Sequence, residues 1–141
     1  MGQEDIFKRQ LDLLSAALGK ALAKILKIKD DSEITELKQF FKAIDEELNI
    51  DIDDLLTKPP AEFLNLLNLK YGFKTDHLDK LAEIFFETAQ VLHKQGEIEK
   101  SQLLFSRSVL LYESISTSKK EVSLDRVYRM AEIKRMLEGM D

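Results

Sequence analysis

Apolar residues return every three or four positions along most of the chain, and each change of register marks a new helix. From Glu4 to about Ile28, Ile6, Phe7, Leu11, Leu13, Leu14, Ala17, Leu18, Ala21, Leu22, Ile25 and Ile28 cover well over half of a helical circumference. One partner surface cannot bury so wide an arc, so this helix calls for two partners or a second subunit. Asp30, Asp31 and Ser32 offer N-caps for a second helix, whose Ile34, Leu37, Phe41, Ile44 and Leu48 keep to one face. The pattern breaks between Asn49 and Pro60, which reads as a linker with one turn of helix capped by Asp51, Asp53 or Asp54. Pro60 then suits the first turn of a short helix running from Ala61 to about Lys70 and ended by Gly72. The prediction is an all-α single domain, a bundle of about five or six helices. It divides into an N-terminal amphipathic helix (1–29), a helical linker region (30–74), and a hairpin with a capping helix (75–141).

The most regular stretch is 78–115. Two amphipathic segments are separated by Lys94-Gln95-Gly96-Glu97, where Gly96 can adopt the left-handed conformation that ends a helix and reverses the chain. Phe85, Leu92, Ile98 and Phe105 supply bulk, while Ala89, Ser101 and Ser108 are small enough to let two backbones approach. A last helix from Leu124 to about Glu138, capped by Ser123, is expected to cover the pair with Leu124, Val127, Ala131 and Leu137. Ser116 to Glu121 reads as a polar connection.

In register, 78–115 resembles a single degenerate tetratricopeptide repeat. Phe85 stands at the repeat's Trp, Thr88 at its Leu, Ala89 at its Gly, Leu92 at its Tyr, Ser101 at its first Ala, Phe105 at its Phe and Ser108 at its later Ala. Thr88 departs from the pattern, as does Glu113 where the closing Pro would fall. The resemblance spans about a quarter of the chain and implies helices that cover what one hairpin leaves bare. With Glu4, Asp5, Arg9, Gln10, Leu14 and the 22–26 segment, the whole chain also resembles a family of small uncharacterised bacterial proteins, a likeness that implies architecture and no activity.

Composition narrows the function classes. Cysteine is absent, which removes disulfides, thiolate metal sites and cysteine nucleophiles and fits a cytoplasmic location. Lys20, Lys24 and Lys27 interrupt the only long apolar run, so no membrane span is expected. A net charge of −5 argues against nucleic acid. The charge is uneven: residues 1–29 are basic, and 30–57 hold ten acids against Lys38 and Lys42.

No cofactor or metal is expected. Asp51, Asp53 and Asp54 lack the Gly and distal Glu of a calcium loop and read as helix caps. His77 and His93 stand sixteen residues apart and read as surface histidines. Ser101, Ser106 and Ser108 lie within a helix with no acid–base partner. Arg126, Arg129, Lys134 and Arg135, diluted by Glu132 and Glu138, read as a solvated face.

The chain is therefore expected to be non-enzymatic, a protein–protein interaction or scaffold module. Its candidate contact surface is Phe7, Leu11, Leu14, Leu18 and Ile25, and a homo-oligomer, a dimer first, is the expected assembly. The alternative is a peripheral membrane or hydrophobic-ligand-binding role for the same helix.

Overall fold

Leu14, Leu18, Ala21 and Ile25, spaced by four, three and four residues, are all buried on one side of the first helix, α1 (Gln3–Leu26). The computed structural model describes residues 3–26, 41–42, 45–46, 49–118 and 123–140. The second helix expected from Ile34 to Leu48 lies mostly outside the described residues; Phe41 is helical and half-buried against the core.

Asp51 caps a single turn, α2 (Ile52–Leu56), its Oδ1 accepting the Asp54 N–H at 3.0 Å. Pro60 opens α3 (Pro60–Asn65) from a position where its missing N–H costs nothing. The continuation, Leu66–Lys70, is wound as a π-turn in which the Tyr71 N–H reaches the Leu66 carbonyl at 3.1 Å. Gly72, at φ 68°, ends it, and the Phe73 N–H closes back on the Leu67 carbonyl at 2.9 Å. Phe63 and Leu67 from this stretch enter the core completely.

Three more long helices follow: α4 (Thr75–Lys94), α5 (Ile98–Ser118) and α6 (Leu124–Met140). Gly96 turns the chain between α4 and α5 at φ 80°, with the Glu97 N–H donating to the Leu92 carbonyl at 3.0 Å. Two long-range bonds set the antiparallel register. Ser101 Oγ donates to the Ala89 carbonyl and Ser108 Oγ to the Ala82 carbonyl, each at 2.8 Å. Phe86 and Phe105 meet edge-on at 5.9 Å, and Phe63 lies 6.3 Å from Phe85. Helix α5 runs on to Ser118, so Ser116 belongs to the helix and not to the connection expected there.

Helix α1 runs parallel to α4. The Leu11 carbonyl lies 3.3 Å from His77 Nε2, and one turn on Ser15 Oγ accepts from Lys80 Nζ at 2.8 Å. His77 is not at the surface: it is 5% exposed, edge-on to Phe73 at 5.9 Å, and its Nδ1 accepts the Lys74 N–H at 2.8 Å. That bond closes the first turn of α4. With Nδ1 accepting, the neutral ring carries its proton on Nε2, directed at Leu11. Burial is the main reason that its pKa lies below the ordinary value.

Helix α6 covers α5 and α4 from the other side with Met130, Ile133, Met136, Leu137 and Met140. Leu137 points inward as expected; Leu124, Val127 and Ala131 do not, and all three are exposed. The long, flexible methionine side chains fill this seam, so the face that reads as most apolar in its first two turns is turned outward.

Candidate functional site

The residues expected to form a contact surface on α1 are largely spent inside. Leu14, Leu18 and Ile25 are between 1 and 4% exposed and belong to the core, and Leu11 is half-buried beside His77. The Phe7 side chain lies outside the described residues. Packing inside takes up Leu14, Leu18, Ala21 and Ile25 of the apolar arc, while Leu13 and Leu26 stay exposed. Of the hairpin positions, Phe85, Ala89, Leu92, Ser101, Phe105 and Ser108 are all buried between α4 and α5, and Gly96 makes the turn.

A different place stands out. Where α6 crosses α4 and α5, a pocket of about 570 Å³ is lined by Asp79 and Glu83 of α4, Tyr112 of α5, and Ser123, Asp125, Arg126, Tyr128, Arg129 and Glu132. Its floor is a single network. Glu83 accepts the Tyr112 hydroxyl on one oxygen and Arg129 Nη2, at 3.3 Å, on the other. Arg129 Nη1 reaches Glu132 at 3.5 Å, and its guanidinium lies 4.0 Å over the Phe86 ring, which is itself buried. One cation thus holds two carboxylates and stacks on an aromatic face, the combination that a planar guanidinium permits and an ammonium does not. Burial, then Glu83, pushes the Tyr112 phenol above its ordinary range. Nearby, burial raises the Glu87 carboxyl against the opposing pull of Arg129.

Ser123 caps α6, accepting the Arg126 N–H at 3.4 Å, and so fixes the rim of the pocket. Among the described residues, Arg126 Nη1 is buried there without a hydrogen-bond partner. On the outer face of the same two turns, Leu124 is 64% exposed, Val127 43% and Tyr128 68%. Large apolar side chains so exposed and adjacent make a patch, whereas isolated ones are ordinary. Sequence reasoning missed this site because Arg126 and Arg129 read as a solvated face and Glu83 and Tyr112 carried no motif. The one legible sign was an Arg and two acids at helical spacing around an aromatic, which is common in any helical protein.

Chemically, the network is closed on itself. Both Glu83 oxygens accept hydrogen bonds, and Arg129 is shared between Glu83 and Glu132. Among the described residues, no group of three or more His, Asp or Glu side chains converges as metal ligands would, and no helix is long and apolar enough to cross a membrane. No protein-family model, no curated protein and no solved structure matches the chain. The geometry alone therefore defines the class: an all-helical bundle whose central antiparallel pair is flanked by α1 on one side and α6 on the other.

Proposed function

We propose that this chain is a non-enzymatic interaction module that receives a segment of another protein on α6, with a basic side chain of that segment entering the pocket between α4 and α6. The observation that carries the reading is the adjacency of two surfaces: the exposed Leu124, Val127 and Tyr128, and a pocket with four carboxylates, Asp79, Glu83, Asp125 and Glu132, against Arg126 and Arg129. An excess of negative charge favours a cationic guest. An apolar rim with an aromatic hydroxyl is the composition from which interface anchors are drawn.

The likeness of α4 and α5 to a tetratricopeptide hairpin supports the same reading, since α6 then stands where a following repeat would begin and such arrays act by contact. The test is a pair of fluorescent peptides that differ in one residue, Lys or Glu, between apolar neighbours, titrated by polarisation. The Lys peptide should bind, and weaken as salt is raised. The Leu124→Ala, Tyr128→Ala double variant should weaken it at least about tenfold, the scale of two lost anchors. Equal binding of the two peptides, or an indifferent double variant, would remove the proposal.

A further inference from the structure

The outward face of α1 carries a second stripe. Arg9, Leu13, Ala16, Lys20 and Ala23 are all exposed and follow one another by four, three, four and three residues, about half a turn around the helix from the buried Leu14, Leu18, Ala21 and Ile25. That spacing keeps all five on one line along the helix. Leu13 is 57% exposed, and Ala16 and Ala23 are small enough to let a second helix come close. From Leu13 to Leu26 the helix holds Lys20 and Lys24 and no acid.

The pocket between α4 and α6 has the opposite sign. Its four carboxylates, Asp79, Glu83, Asp125 and Glu132, outnumber the guanidiniums of Arg126 and Arg129, and the exposed Leu124 and Tyr128 stand beside it. The spans also agree. Lys20 follows Leu13 by seven residues, about 10 Å along its helix, and Glu132 follows Leu124 by eight, about 12 Å along α6. Yet α1 packs on α4 and α6 packs on α5, on opposite sides of the central pair, so no copy lays its own α1 on its own pocket.

We infer that the segment received by this pocket is α1 of a second copy of the chain, with Leu13 against Leu124 and Tyr128 and the Lys20 ammonium among the carboxylates. The inference rests on the reading of the pocket given above and fixes its occupant. An apolar anchor beside a charge of the opposite sign gives the contact both its burial and its register. Because two different faces meet, the contact is heterologous: each joined pair keeps one open α1 face and one open pocket. Assembly therefore runs past the dimer, as a chain or a closed ring.

The test is sedimentation velocity of the full chain over a wide range of concentration. The weight-average mass should rise beyond that of a dimer, and added salt should lower it again. Leu13→Glu spoils the α1 face and Tyr128→Lys the pocket face; both positions are exposed, so the helical circular dichroism should stay as it is. Each variant alone should associate at least about tenfold more weakly. Mixed together, they should regain one contact, between the unaltered Leu13 of the Tyr128→Lys chain and the unaltered Tyr128 of the Leu13→Glu chain, and stop at a one-to-one pair. A chain that stays monomeric while a Lys-bearing peptide still binds would overturn the second copy as occupant and leave the pocket's own reading standing; loss of peptide binding as well would remove both. Association that Leu13→Glu weakens and Tyr128→Lys does not would set α1 against α1 and overturn the assignment.

Discussion

Thr88 carries a buried hydroxyl with no hydrogen-bond partner among the described residues, whereas Ser101 and Ser108, equally buried, donate to carbonyls of the facing helix. The two situations differ in sign. A buried hydroxyl without a partner loses its water and receives nothing in return, so replacing it with a methyl of the same shape removes a cost. Thr88→Val should raise the free energy of unfolding by about 1 kcal/mol, seen as a higher urea midpoint at unchanged slope. A lower midpoint would mean that the hydroxyl has an acceptor after all. At this scale the sequence was partly legible. Thr88 was visible as a departure from the repeat pattern, but nothing in the residue letters separates a satisfied hydroxyl from an orphaned one. His77 was hidden for the same reason: its burial comes from Leu11 and Phe73, and one of these lies 66 residues away.

The α4–α5 pair was the most readable element because its information is local. A Gly at the turn and small residues facing large ones at helical spacing set both the hairpin and its register. Ser108 shows how tight that register is: it has no exposure, and its Oγ spans to the Ala82 carbonyl at 2.8 Å across the seam. Ser108→Ala should lose the bond and little volume, at about 1 kcal/mol. Ser108→Val adds bulk where the backbones are closest and should cost about 1–3 kcal/mol more through overpacking. Thermal or urea unfolding should therefore rank the native protein above Ser108→Ala and Ser108→Val last; Val equal to Ala would show a looser seam than the one described. The orientation of α6 was not readable in this way. Its apolar residues lie on both faces, and which face turns inward is decided by Met130, Ile133, Met136 and Met140 packing on the core, not by periodicity. The candidate pocket, built from three helices, inherits that uncertainty of orientation.

At the scale of the molecule, α1 is joined to the rest through its apolar stripe and through two polar ties to α4, and one of these ties can titrate. His77 serves as acceptor for Lys74 and donor to Leu11 only as the neutral ring; a proton on Nδ1 would set two N–H groups face to face. Burial dominates the lowered pKa, with Lys80 and Lys74 adding to it and the Leu11 carbonyl and Asp76 opposing. Below the ordinary value of 6.5 the unfolded chain takes up a proton that the folded chain refuses. Stability must then fall as pH is lowered from about 7 through that window, down to the folded value, with a slope no steeper than the roughly 1.4 kcal/mol per pH unit that one proton allows. Glu87 works in the opposite sense and lower down. Its carboxyl is raised above 4.5, so that group destabilises the fold as pH rises through the window just above 4.5 and relieves the fold on acidification. Urea unfolding at half-unit steps from pH 7.5 to 4 separates the two. His77→Gln keeps an acceptor for the Lys74 N–H without a titrating ring. It should flatten the decline just below pH 6.5 while leaving the Glu87 contribution in place. An unchanged slope in that variant would mean that the α1–α4 junction does not sense the proton, and that α1 is held by Leu14, Leu18, Ala21 and Ile25 with the Lys80–Ser15 tie.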